Sequence, residues 1–201
     1  MANLIGYRNL TWLRNRLLPD ALGDNGDWDN DLTAIGLGVA AHFDRFTGRV
    51  LRRTVGAVYN CAADTESLVV PCYPVETITS IYLVDSFGST LITGNVFGSN
   101  AAAGIIHFSG APGNGQQTLS ITVTGGYWCE NDMETMPTGA APMPDELVNA
   151  WVQQCRAICE AENTFRQKGA EKPDKKTGPS LAGLELLPGV KSILQLHMRI
   201  P

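Results

Sequence analysis

The sequence predicts an α+β protein, and three observations carry that prediction. Apolar residues recur at helical spacing near residues 29–47 and 144–168, and the period switches to two between about 66 and 128. A polar linker then sets apart a final apolar run. The expected division is a helical core over 1–168 with a small antiparallel β module inserted at about 66–128. A linker and an extended C-terminal docking arm follow over 169–201.

In chain order, Leu10, Leu13, Leu17 and Leu18 among Arg8, Arg14 and Arg16 make a short amphipathic stretch, followed by an acidic loop, PDALGDNGDWDND. Leu32, Ile35, Val39, Phe43 and Phe46 then form one stripe of a helix that Asp29, Asn30 or Asp31 can cap and Thr47-Gly48 can end. RVLRRTVGAVYN reads as a second helical piece, with Leu51, Val55, Val58 and Tyr59 on one side and Arg49, Arg52 and Arg53 on the other. ESLVV, the stretch over 77–85, AGIIHF and TLSITVT read as strands, with turns at DSFGS and GAPGNG. The 77–85 strand is half apolar on both faces, so its second face needs a cover. PDELVNAWVQQCRAICEAENTFRQKG is the best helix, with Pro144 in its first turn and the stripe Leu147, Trp151, Cys155, Ile158 and Phe165. After AEKPDKKTGPSLAG, which is linker-like, Leu186, Leu187, Val190, Ile193, Leu194 and Leu196 crowd one short segment.

A formal net charge of −5 argues against a general nucleic-acid binder, which needs a basic footprint to displace phosphate counterions. The five cysteines are odd in number and form no CxxC pair, so a reducing compartment is expected and Cys155 with Cys159 reads as buried hydrophobes rather than a zinc site. The opening residues lack the pattern of a signal peptide, and no apolar stretch approaches the roughly 20 residues that span a bilayer. The expectation is a soluble protein made in a cytoplasm, with no membrane partner and no cofactor or metal.

No phosphate-binding glycine loop and no nucleophile elbow is present. Asp24, Asp27, Asp29 and Asp31 do not make a calcium loop, because Leu32 and Gly38 stand where a glycine and a bidentate glutamate belong. Glu130, Asp132 and His107 are the residues a small hydrolase would use; solvated charge is the simpler reading of the carboxylates. Arg45, Arg49, Arg52 and Arg53 cluster in an otherwise acidic chain and suit a subunit interface facing the acidic loop, Asp27 and Asp29 included. Tyr82 on the two-faced strand joins that expected interface.

The order of short motifs resembles the head-to-tail connector (adaptor) proteins of tailed bacteriophages. The matching residues are Tyr73-Pro74-Val75, Ile78, Ile81, Asp85, Gly104-Ile105-Ile106, Val123-Thr124, Gly125-Gly126-Tyr127-Trp128, and Pro144 with Leu147. Leu187-Pro188-Gly189-Val190, Leu194 and Arg199 look like that family's closing segment. The resemblance spans about residues 29–200; the acidic loop and the insertion CENDMETMPTGAAPM depart from it. It implies a helical bundle with an inserted β module, in a homo-oligomeric ring of about twelve copies at the head-tail junction of a virion. The portal protein and a tail or tail-completion protein would be its partners, and DNA would pass through the lumen without specific binding. Leu187, Pro188, Val190, Ile193, Leu194 and Arg199 are then the expected docking residues. The nearest alternative is another tail-completion or capsid-associated structural protein.

Overall fold

A computed structural model describes residues 4–17, 29–92, 96–130, 135–161 and 185–198. They divide into two compact units, one drawn from Met1–Thr47, Cys129–Thr135 and Met143–Met198, the other from Gly48–Trp128 and Met136–Pro142. The fold is α+β, with the helices in the first unit and nearly all the strands' core in the second.

The helical unit is built on α1 (Leu10–Leu17), α2 (Asp29–Thr47), α3 (Asp145–Ala161) and α4 (Pro188–Leu196). α2 starts with Asp29 and Asp31 at the positive end of its dipole and stops where Gly48 takes a φ of 66°. Leu32, Ile35, Val39 and Phe43 are buried, as their spacing predicts, and so are Leu147, Trp151, Cys155 and Ile158 of α3. Phe165 lies outside the described residues. Trp151 is the centre of this core. Its indole N–H donates to the Gly36 carbonyl at 2.9 Å, and Tyr7 stacks obliquely between it and Phe43, with ring centroids 5.9 and 6.1 Å away. A side chain at Gly36 would overlap the Ile5 carbonyl oxygen, so the helix must carry glycine there despite its lower helix propensity.

The final apolar run is α4, with Pro188 in its first turn. Val190 and Leu194 are fully buried in the helical unit, and Leu186 nearly so. The backbone leading into α4 is held by one side chain: the Gln154 amide donates to the Glu185 carbonyl at 3.1 Å and accepts from the Leu187 N–H at 2.9 Å. Gln154 is itself buried, so both ends of its amide are satisfied without water. Where an extended docking arm is expected, 188–196 is helical, and two of the expected docking side chains, Val190 and Leu194, fill the core of the helical unit. The linker over 169–184 and Arg199 lie outside the described residues.

The second unit holds β1 (Thr54–Ala62), β2 (Ser67–Val69), β3 (Val75–Asp85), β4 (Gly88–Leu91), β5 (Val96–Asn100), β6 (Ile105–Phe108), β7 (Thr118–Gly125), β8 (Tyr127–Trp128) and β9 (Ala141–Pro142). The order β1-β7-β3-β4 makes an antiparallel sheet of four strands, and β2-β6-β5 makes one of three. Both feed one core: Ile81, Leu119, Ile121 and Val123 from the larger sheet meet Val70, Ile106 and Phe108. β8 and β9 pair in parallel.

The segment RVLRRTVGAVYN, read as helix, is largely β1. Thr54, Val55, Val58 and Tyr59 suit a strand better than a helix, and Gly56 takes a φ of 65° at a bulge opposite Thr124 that no helix interior accommodates. Pairing with β7 over the whole strand overrides the local three-to-four spacing. The β module accordingly begins near 54 rather than 66.

If α4 is part of the helical core, Leu194→Ala should destabilise the protein by about 2–5 kcal/mol in chemical denaturation, whereas Leu196→Ala on the exposed side should change it by no more than about 0.5 kcal/mol. A neutral Leu194→Ala would mean that α4 is dispensable to the fold.

Candidate functional site

The larger sheet answers the question that the two-faced strand raises. A register shift between Ile78 and Ser80 puts an extra residue into β3, so Ile78 on one side of the bulge and Ile81 and Leu83 on the other all point to the same core. Residues of opposite parity thus share one face. The remaining face carries Ser80, Tyr82 and Val84 beside Thr118, Ser120 and Thr122 of β7, Val58, Asn60 and Ala62 of β1, and Ser89 and Leu91 of β4. None of these eleven side chains is charged. Val58, Tyr82 and Leu91 are exposed, and Phe87 at the tip of the β3–β4 hairpin is 97% exposed.

The motifs YPV and GGYW meet in the same unit. A side chain at Gly125 would overlap the Cys72 carbonyl oxygen, and one at Gly126, where φ is 92°, would lie 2.5 Å from the Arg52 carbonyl oxygen. The Gly126 N–H donates to the Pro74 carbonyl at 2.9 Å, the Tyr127 N–H to Leu51 at 2.8 Å, and the Arg53 N–H to Tyr127 at 2.7 Å. Arg49 completes the node: it is buried, donates to the Tyr73 carbonyl, and sets its guanidinium 3.5 Å from the centroid of the Tyr73 ring and 5.4 Å from that of Tyr127.

The four expected interface arginines therefore do not act alike. Arg49 is a core residue. Arg53 forms a fork with Glu76, Nε to Oε2 at 2.6 Å and the second nitrogen to Oε1 at 3.0 Å, both side chains being mostly shielded from solvent. Its partner is thus within its own unit. Arg52 is half-buried and Arg45 is exposed near the end of α2. Of the acidic residues, Asp29 pairs with Arg14 and Asp27 lies outside the described residues. Among the expected docking residues, Val190 and Leu194 are buried and Ile193 is half-buried, while Leu187 and Pro188 are exposed at the start of α4; Leu196 and Met198 are exposed at its other end.

The residues of the hydrolase alternative are placed as follows. Glu130 pairs with Arg8 at 2.5 Å, His107 is an exposed residue of β6, and Asp132 lies outside the described residues. Burial pushes the thiols of Cys61, Cys72 and Cys155 up, which makes them poor nucleophiles at neutral pH. Burial, and then a hydrogen bond with Cys72, likewise raises the Tyr59 hydroxyl. Among the described residues no group of three or more His, Cys, Asp or Glu could hold a metal ion, and no helix is long and apolar enough to cross a membrane.

This geometry has solved counterparts. A chain in the neck of an empty gene transfer agent (GTA) particle, computed with C6 symmetry, superimposes with a TM-score of 0.63 at 19% identity, over 96% of this chain and 89% of that one. This chain has that chain's fold. A chain in the virion of a native gene transfer agent particle matches with a TM-score of 0.58, at the same identity and coverage. No family model and no curated protein matches the sequence. The match takes in both units, helical and β, and so extends well beyond the short motifs legible in the sequence.

What sequence reasoning missed is the node of Arg49, Tyr73 and Tyr127. The signal available was the pair of glycines before Tyr127, which marks a close backbone approach.

The Arg53–Glu76 fork gives a pH prediction. The hydrogen bond from Arg53, reinforced by its charge, lowers the carboxyl pKa of Glu76. The pair therefore stabilises the folded state above the unfolded carboxyl pKa of about 4.3, and that contribution disappears as pH falls through the lower folded value. Glu76→Gln should destabilise by about 1 kcal/mol at pH 7, and the difference should vanish in strongly acidic buffer. A difference that persists unchanged at acid pH would show that the carboxylate charge is not what stabilises this corner.

Proposed function

We propose that this chain is a head-to-tail connector (adaptor) subunit of a phage-like particle, assembling as a homo-oligomeric ring beneath the portal, completing the head and offering the surface to which the tail attaches. The observation that carries this reading is the match of fold along 96% of the chain to a component of a gene transfer agent neck. The order of motifs from Tyr73-Pro74-Val75 through Gly125-Gly126-Tyr127-Trp128 to Leu187-Pro188-Gly189-Val190 supports it independently. So does the chemistry of the surface. A net charge of −5 disfavours general adhesion of phosphates, which suits a passage for DNA.

In this reading the portal is engaged through exposed residues of α4 and its flanks: Leu187 and Pro188 at its start, with Leu196, Met198 and the half-buried Ile193 toward its end. Val190 and Leu194 contribute by holding the helix in place rather than by touching the partner. Arg45 and Arg52 remain available to the neighbouring subunit, whereas Arg49 and Arg53 serve their own fold. A subunit that buries modest area against each neighbour stays dispersed until the portal gathers many copies, and the effective concentration then drives the ring.

Imaging particles from a host in which the chain carries a compact tag should place the tag at the head-tail junction, in register with a ring. Particles lacking the chain should be DNA-containing heads without tails, and added protein should restore joining. Tag density in the capsid shell or along the tail tube would overturn the reading.

A further inference from the structure

The larger sheet has two free edges among the described residues, β1 and β4, and neither is protected. Edge strands in soluble proteins are ordinarily blunted with lysine, proline or inward charge, because a row of unpaired N–H and C=O groups captures other strands. β1 carries no charged residue and no proline over its nine residues, and β4 carries none over Gly88–Leu91; only the bulge at Gly56 interrupts β1, near its start. The exposed Val58 and Leu91, and Phe87 beyond them, lie along those same edges.

We infer that β4 of one copy adds to β1 of the next, so that the sheet runs on from subunit to subunit around the ring. The inference rests on the connector reading and names the seam it requires. Strand direction permits it: β1, β7, β3 and β4 are antiparallel in turn, so β4 and β1 point oppositely and their junction is antiparallel like every pair within the sheet. It is also heterologous, one edge meeting a different edge, which is the kind of contact that closes into rings.

The hydrogen-bond phase narrows the register. The Ala63 N–H donates to the carbonyl of Gln117, the residue just before β7, so by alternation Val58, Asn60 and Ala62 direct their backbone groups away from β7 to the open edge. The Ile92 N–H donates to Ile81 on β3, so Ser89 and Leu91 direct theirs outward from β4. All five side chains lie on the uncharged face, so joining these residues continues the pleat without a break. Of the registers this allows, one places Leu91 opposite Val58 and Ser89 opposite Asn60, apolar on apolar and polar on polar. That register also brings Phe87 into line with Ala62. Shifting by two residues sets Leu91 against Asn60 and loses the match.

A seam of four or five residues falls well short of the roughly 1,200 Å² that a stable complex buries, so two copies free in solution should not hold together. Copies gathered at the portal should.

The test uses paired cysteines, Asn60→Cys with Ser89→Cys in one chain carrying Cys61→Ala, taken into assembled particles and oxidised. A ladder of head-to-tail covalent oligomers is expected, with several-fold less product when Val58→Cys replaces Asn60→Cys. Ser89→Pro supplies the second arm: it removes an outward N–H that β3 does not use, so the isolated protein should melt as the parent does while ring incorporation falls at least tenfold. Necks that fill normally with Ser89→Pro and give no ladder would overturn the seam and leave the connector reading standing. Disulfide dimers formed by Asn60→Cys alone would overturn it as well, by making β1 pair with itself. A chain absent from the neck would overturn both.

Discussion

The β unit depends on one close crossing of backbone at Gly125-Gly126. There the end of β7 passes the Cys72–Pro74 strand entry and the Arg52 backbone at distances that admit no Cβ, and three main-chain hydrogen bonds tie the crossing together. Everything that gives the sheet its shape follows from it: where β3 begins, where β1 begins, and where the chain turns into β8. A buried guanidinium at such a point is expensive unless it is compensated, since an isolated charge in a low-dielectric interior is strongly disfavoured. Arg49 is compensated by the Tyr73 carbonyl and by the faces of two tyrosines, which lets a charged residue act as a spacer of fixed length between them. The aromatic and glycine residues of the two motifs are thus parts of one contact, which explains why they occur together at such a distance in sequence.

How much of this was legible beforehand depended on whether a local rule decided the outcome. The stripes of α2 and α3 were readable because burial at helical spacing requires only the helix itself. The strand β7 was readable for the same reason at period two, and β3 by its β-branched and aromatic content rather than by its period. β1 was not, because its arginine-rich lead-in and the spacing of Leu51, Val55 and Val58 mimic a helix, and only the pairing with β7, more than fifty residues away, settles the conformation. The bulge in β3 was invisible too: it swaps which side chains face the core, and nothing in Ile78-Thr79-Ser80 announces it. The arginine cluster shows the limit for sites. Proximity in sequence suggested a common role, yet Arg49, Arg53 and Arg45 end in a core, an ion pair and solvent respectively, because they belong to different local structures: Arg45 to the last turn of α2, Arg49 to the bend that follows it, and Arg53 to the entry into β1. For α4, composition suggested an independent arm; the buried amide of Gln154, a polar residue inside a helix stripe, was the one clue that a backbone segment had to dock beside it.

The two units handle charge differently, and the difference bears on what each can contact. In the helical unit the basic residues in and just before α1 are engaged within the unit: Arg8 with Glu130, Arg14 with Asp29, and Arg8 and Arg16 over the Trp12 ring. In the β unit the fork of Arg53 with Glu76 sits at the start of the sheet, and the broad outer face is left with hydroxyls, an amide, a phenol and aliphatic groups. A face of that composition is neither greasy enough to aggregate on sight nor polar enough to be committed to water. It can be covered and uncovered at small free-energy difference, because hydroxyls exchange water for one another with little net change.

That balance is what a subunit needs if it must remain dispersed while particles are being built and associate only at one place. A charged edge would keep copies apart even when tethered, and a long apolar edge would join them everywhere. The uncharged edges of β1 and β4, short and flanked by Asp64 and Asp85, lie between these extremes. Backbone pairing supplies geometry and direction, and few side chains need to be ordered to form it, so its entropic cost is small. In the ring proposed above, multivalency would convert a contact too weak for a dimer into one sufficient for closure, because the last subunit would gain two seams and any loss of one would be opposed by all the others.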